Sequence, residues 1–221
     1  MLAFLVGLFY YQRNKSKPTY YLVLFLGITA GVEILGWYAY FVPSGFLSFL
    51  KDTVFKSNYW LYNIYNVVSY VFYISYFKWQ LRSKRAIKIL NHSIVVFITI
   101  SVFEILFSGG YFIRFSSIAT IVGTLLVFLS IGLYYMQLLK SDEVLRVHKI
   151  LPFYISIGAL LFHLCTTPIF IYNSYYSLSM DPSFVEVYRI ILFGSNYVLY
   201  GIFILGFLIC KEQKQDKTVV A

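Results

Sequence analysis

Long apolar runs, separated by short gaps that hold most of the basic residues, constrain this chain more than any other feature. A helix needs about 20 mostly apolar residues to cross roughly 30 Å of hydrocarbon. On that basis the sequence divides into seven spans, 1–11, 18–42, 58–77, 89–107, 116–139, 150–175 and 187–210, with a short tail at 211–221. Backbone polar groups in lipid must be satisfied within a helix or a closed barrel. The runs are continuously apolar and do not alternate with period two, which excludes an outer-membrane barrel. The expected fold is therefore all-α, a polytopic transmembrane helix bundle. Composition agrees: 12% of the residues are charged and 60% hydrophobic, against about 25% charged in a soluble domain. The net charge of +9 could point to nucleic acid in a soluble protein. Here the basic residues fill the gaps between apolar runs, so the expected partner is the lipid bilayer and not nucleic acid.

Those gaps set the orientation. Arg13, Lys15 and Lys17 follow span 1, and Lys78, Arg82, Lys84, Arg85 and Lys88 follow span 3. Lys140, Arg146 and Lys149 follow span 5, and Lys211, Lys214 and Lys217 lie in the tail. Fourteen of the 18 basic residues thus fall on one side, with Lys51, Lys56, Arg114 and Arg189 on the other. Positively charged loops stay in the cytoplasm, so the tail is expected inside and the N-terminus outside. Arg82, Lys84, Arg85 and Lys88 then form a cytoplasmic basic surface, read first as a topology signal and second as a docking surface for anionic lipid or a partner.

Span 1 is short. Eleven residues reach only about 17 Å at ~1.5 Å each. It is expected to be a first helix cut short by a late start, or a half-span that leaves six full crossings. No positive residue precedes it and no small-residue cleavage site follows, so it is not expected to be a signal peptide. Gly27 and Gly31 in span 2 stand four apart, the spacing that lets helices approach closely. Pro168 is expected to kink span 6, and Asp181-Pro182 marks a turn before span 7. Cys165 and Cys210 lie in apolar runs and share no metal-ligand spacing.

Ionisable groups at membrane depth are costly and usually face the interior. Glu33 in span 2, Glu104 in span 4 and His163 in span 6 are the three that stand out. Asn63 and Asn66 in span 3, Thr167 in span 6 and Asn196 in span 7 lie at comparable depths. Tyr62, Asn63, Asn66, Ser69, Tyr70 and Tyr73 recur at three-and-four spacing, which is one helix face. The same rule groups Ser101, Glu104 and Ser108, and sets His163 beside Thr166 and Thr167. If these faces converge, Glu33, Asn63, Asn66, Glu104, His163, Thr167 and Asn196 line one outward-facing pocket for a small ligand or ion. The competing expectation for the amides and hydroxyls is interhelical glue.

Several activities are argued against. A retinal pigment needs a lysine in the middle of the last helix, and span 7 has none before Lys211. There is no HExxH and no glycine-rich phosphate loop. No residue spacing calls for a metal or a cofactor. A serine hydrolase would need Ser69 or Ser195 beside His163, and their spacing does not favour it. Seven spans with an outside N-terminus match the layout of G-protein-coupled receptors. The acidic-arginine pair of span 3 and the Asn-Pro turn of span 7 are both missing.

Short motifs are spread along most of the chain: VEILG at 32–36, NYWLYNIY at 58–65, LPFY at 151–154, IGALL at 157–161 and NYVLY at 196–200. In these the chain resembles a group of small bacterial multi-pass inner-membrane proteins, uncharacterised as a family and often encoded beside sensor histidine kinases. Members of that group often carry a glutamate in span 3 where this chain has Ser69. The resemblance implies a bacterial cytoplasmic (inner) membrane location and a signalling role with a sensor histidine kinase or another cytoplasmic or membrane partner. The expected function is a non-enzymatic sensor or signalling partner. A small-solute or ion transporter using the intramembrane Glu and His is the alternative, and an intramembrane enzyme built on His163 ranks third.

Overall fold

Apolar runs with serine at their starts become helices in the computed structural model, which describes residues 1–107, 109–175 and 182–210, the side chains of 172–175 and 182–184 excepted. Seven α-helices are present among these residues, and no strand. They are α1 (Leu2–Arg13), α2 (Lys17–Gly36), α3 (Tyr59–Lys78), α4 (Lys84–Phe107), α5 (Ser117–Leu138), α6 (Leu151–Tyr175) and α7 (Pro182–Ile209). Short 3₁₀ turns occupy Trp37–Phe41, Ser48–Leu50 and Val54–Lys56 between α2 and α3, and Asp142–Lys149 between α5 and α6. Ser16 and Ser116 are N-caps whose hydroxyls accept the N–H of Thr19 and Ala119. Ser83 does the same for Ala86 at the start of α4. Each satisfies one of the donors that a helix start leaves orphaned.

Five helical segments are long and apolar enough to cross a membrane: Lys17–Phe41, Lys84–Phe107, Ser117–Leu138, Leu151–Ile171 and Val185–Ile209. α1 has 12 residues, about 18 Å at ~1.5 Å each. α3 has 20 residues, enough length, but its six tyrosines and two asparagines lower its apolar character. Ser108, Asp181 and the tail at 211–221, with Lys211, Lys214 and Lys217, lie outside the described residues. Of the turn expected at Asp181-Pro182, the proline is the first residue of α7, where a missing N–H is tolerated. α4 starts five residues before the expected span, so Lys84, Arg85 and Lys88 ride on its exposed first turns.

The helices close a ring. α1 packs on α2 and α7, α2 on α3, α3 on α5, α5 on α6 and α6 on α7, while α4 lies outside against α3 and α5. Leu22, Ile74, Phe77, Val127, Ile131, Ile155 and Phe203 of the ring are sealed from solvent, and Leu90 and Phe97 of α4 join the same buried cluster. Phe25 of α2 stacks on Phe72 of α3 with centroids 4.0 Å apart. Glycines set the closest approaches. A Cβ on Gly123 of α5 would lie 2.5 Å from the Tyr70 ring of α3, and one on Gly158 of α6 would lie 2.8 Å from Phe203 of α7. Gly27 admits the Phe4 ring of α1, whereas Gly31 has nothing near it. α6 runs unbroken across Pro168. The carbonyl of Leu164, four residues earlier, therefore has no helical N–H to accept.

Side chains are distributed inside out relative to a water-soluble domain. Large apolar residues such as Leu24, Val95, Phe103, Leu125, Leu164 and Leu208 are exposed, while Asn63, Ser101, Thr120, Thr124, Ser156 and His163 are buried. Lipid as solvent produces this pattern, since apolar surface costs nothing there and polar groups seek one another inside. Cys165 is exposed and Cys210 buried, both as free thiols.

Candidate functional site

Hydroxyl and amide side chains on α3, α4 and α5 meet the α4–α5 connection at one end of the bundle. The connection starts at Gly109, whose φ of +59° lies in the left-handed region that a side chain rarely adopts. It then turns on bonds from the N–H of Ile113 and of Arg114 to the Gly110 carbonyl. Asn63 of α3 holds it. Its Nδ2 donates to the carbonyls of Tyr111 (2.8 Å) and Arg114 (3.0 Å), and its Oδ1 accepts the Ser116 N–H at 3.0 Å. Tyr111 returns the contact, its hydroxyl donating to the Trp60 carbonyl at 2.9 Å. Ser57 donates to the Phe112 carbonyl at 3.1 Å, and the Tyr59 and Phe115 rings meet edge to face at 5.0 Å.

Behind this clamp is a cavity of about 270 Å³, at the small end of ligand pockets, which run about 300–1,000 Å³. Its polar lining includes Asn63, Ser101, Glu104, Arg114, Ser116 and Ser117. Glu104 accepts the Ser116 hydroxyl in a short hydrogen bond and the Ala119 N–H at 3.2 Å, both through Oε2. The carboxylate thus sits at the start of α5, where the helix dipole favours negative charge. Among the described residues Glu104 and Arg114 form no ion pair. Ser101 is 2% exposed and its Oγ has no hydrogen-bond partner. Buried hydroxyls are normally satisfied, and this one lines the cavity.

A second polar cluster lies in the middle of the ring. The Thr124 hydroxyl meets the Thr167 hydroxyl at 2.9 Å and the Tyr70 hydroxyl at 3.4 Å. The His163 ring stacks on Tyr70 at 5.2 Å and meets Tyr73 edge-on at 5.7 Å. His163 is buried and its Nε2 has no partner. Thr166 is buried but bonds back to the Phe162 carbonyl of its own helix at 2.8 Å. A third grouping joins α2 to α3: Tyr62 donates weakly to Glu33 at 3.4 Å, and the Thr29 and Tyr65 hydroxyls lie 2.9 Å apart.

Of the residues expected in one pocket, Asn63 and Glu104 share the cavity. Thr167 and His163 join the central cluster through Tyr70 and Thr124. Glu33 is exposed and faces Tyr62. Asn66 is half-buried and does not line the cavity. Asn196 donates back to the Leu192 carbonyl of its own helix at 2.8 Å. Among the described residues no group of His, Cys, Asp and Glu could hold a metal ion.

Sequence reasoning missed the α5 contribution. Ser116, Thr120 and Thr124 stand four apart, one face of a helix, and that stripe was there to be read. Serine just before an apolar run is also a helix-start signal, which would have singled out Ser116. No protein-family model, curated protein or solved structure matches the chain.

Proposed function

We propose that this chain is a multi-pass membrane protein that senses a small polar ligand and passes the signal to a partner, without enzymatic chemistry of its own. One observation carries this: the buried Ser101 hydroxyl lacks a protein partner in a cavity it shares with Glu104 and Arg114. The cavity offers a carboxylate, a guanidinium and hydroxyls within a volume that suits a small molecule, so a zwitterion is the fitting ligand class. Ligand there would press on the α4–α5 connection and on Asn63, and so on the register of α3 against α5.

In the bilayer, α2 to α7 cross fully and α1 enters from the basic end and reaches part-way. α3 crosses despite its tyrosines because they pack inside the ring, Tyr70, Tyr73 and Tyr76 being buried. The 14-to-4 split of basic residues supports a cytoplasmic basic end and an outward-facing cavity. The inner membrane of a bacterium is the location, and a sensor histidine kinase the partner, reached through the exposed Lys84, Arg85 and Lys88 on α4.

The test uses full-length protein in neutral detergent, challenged with a panel of amino acids and related zwitterions while thermal unfolding is followed. A compound that stabilises the wild type and not Ser101→Leu, which fills the cavity, is the expected result. A panel with no such compound, together with an unchanged cellular readout for Glu104→Gln and Ser101→Leu, sinks the sensor. Co-purification with a kinase, lost on changing Arg82, Lys84 and Arg85 to alanine, tests the output.

A transporter is the second reading, favoured by the presence of a cavity at each end of the bundle, both bordered by α3 and α5. Ile74, Phe77, Leu90, Phe97, Val127 and Ile131 belong to one buried apolar cluster. Solute uptake into liposomes that depends on Glu104 would establish transport and displace sensing.

A further inference from the structure

We infer that the cavity at the basic end of the bundle is a binding site for a phosphate-bearing anion. It is about 770 Å³ and lies where the ends of α1, α3 and α5 meet the starts of α2 and α6. Lys15, Lys17, Arg82 and Lys149 line it, with Glu143 as the one acidic residue. Arg82 is already matched, its Nη2 lying 2.6 Å from a Glu143 oxygen. The three lysines have no ion-pair partner among the described residues. Lys15 lies in the α1–α2 connection, Lys17 opens α2 and Lys149 is in the α5–α6 connection, so two distant stretches of chain share the wall. Like charges gathered around one cavity repel each other, and an anion between them reverses the sign of that energy.

The second observation is independent of charge. Tyr134 lines the same cavity, is 5% exposed, and its hydroxyl has no hydrogen-bond partner. A buried hydroxyl left unpaired is costly, and a phosphate oxygen is an acceptor of the right kind. Two helix starts and three helix ends border the cavity, so helix dipoles largely offset one another. The positive potential therefore comes from the side chains. Tyr10, Tyr76 and Trp79 give the cavity an aromatic wall that a bare ion does not need and the glycerol of a lipid headgroup or a sugar phosphate would use. This is a different site from the cavity at the α4–α5 connection, and it stands whichever way the bundle faces.

The test is binding by native mass spectrometry on full-length protein in neutral detergent, with four probes: dioctanoyl phosphatidylglycerol, dioctanoyl phosphatidylcholine, glycerol 3-phosphate and inorganic phosphate. Changing Lys15, Lys17 and Lys149 together to glutamine is expected to weaken phosphatidylglycerol binding on the order of a hundredfold. Lys149→Gln alone is expected to weaken it about fivefold, and this exposed side chain can be replaced without touching the core, so the result stands if the triple variant misfolds. Tyr134→Phe should weaken it by roughly threefold to tenfold. Lys51→Gln with Lys56→Gln, at the other end, should leave it unchanged. Binding of phosphatidylglycerol with no competition from the soluble phosphates identifies a lipid headgroup site. Competition by glycerol 3-phosphate or inorganic phosphate identifies a soluble anion. Binding of no probe, or equal loss in the Lys51 and Lys56 control, overturns the proposal.

Discussion

The side-chain oxygen of Asn63 accepts the backbone N–H of Ser116 at 3.0 Å, so a residue of α3 fixes where α5 begins. Ser116 in turn caps α5 and donates to Glu104 of α4. Three helices are thereby tied at one backbone position. Asn63→Ala removes all three bonds of a 3%-exposed side chain and is expected to cost about 2–4 kcal/mol. Asn63→Asp keeps only the acceptor and should fall in between. Thermal unfolding in detergent gives the order.

Ser101 is expected to behave in the opposite way. Its hydroxyl is buried without a partner, so Ser101→Ala removes an unsatisfied group and should be neutral or stabilising by about 1 kcal/mol. A clear loss of stability would mean that the hydroxyl is satisfied in the working protein.

Glu104 separates charge from capping. Its Oε2 accepts from Ser116 and Ala119, and an amide oxygen can accept the same bonds. Glu104→Gln should therefore cost less than about 1 kcal/mol, the share owed to the helix dipole. Glu104→Ala loses the acceptor and should cost about 1–2 kcal/mol. Equal losses for the two variants would show that charge, not capping, is what counts.

At Gly123 the question is space. A Cβ there would stand 2.5 Å from the Tyr70 ring, which is already in contact with Phe97 and His163. Gly123→Ala should force α3 and α5 apart at about 1–3 kcal/mol. Paired cysteine cross-linking across α3 and α5 would register the separation.

The basic end offers a contrast between a tie to the backbone and a surface ion pair. Gln137 of α5 accepts the Arg82 N–H at 2.6 Å and donates to the Gln80 carbonyl at 2.8 Å. Gln137→Ala is expected to cost about 1–2 kcal/mol. The Arg82–Glu143 pair is 74% and 45% exposed, so Glu143→Gln should cost at most about 1 kcal/mol and the difference should vanish at high salt. Unfolding of both variants at low and high ionic strength checks this.

The helices were legible because apolar run length is a strong signal: each expected segment overlaps one of the helices α1 to α7, and five helical segments are long and apolar enough to cross a membrane. Whether α1 and α3 cross was not, since α1 is short and the tyrosines of α3 lower its hydropathy while packing inward. Asn63 and Glu104 could be singled out as polar residues at membrane depth. The partners Tyr111 and Arg114 could not, because they bond to Asn63 through loop carbonyls, which leave no residue-type signature. Helical spacing placed Asn66 on the same face as Asn63, but a face is wide and the cavity takes only part of it. Asn196 and Thr166 show the same limit: each spends its hydrogen bond on its own helix, and sequence cannot tell that choice from a bond to a neighbour.

The contact between α1 and α7 bears on how the protein is made. Tyr10 lies 5.3 Å from Phe207, and Gly7 accommodates the same ring. A ribosome delivers α1 before α7, so the ring stays open until α7 is made. Until then the α7-facing side of α1 meets lipid or a chaperone in place of Phe207. A nascent chain stalled before α7 would therefore present an unfinished seam along α1.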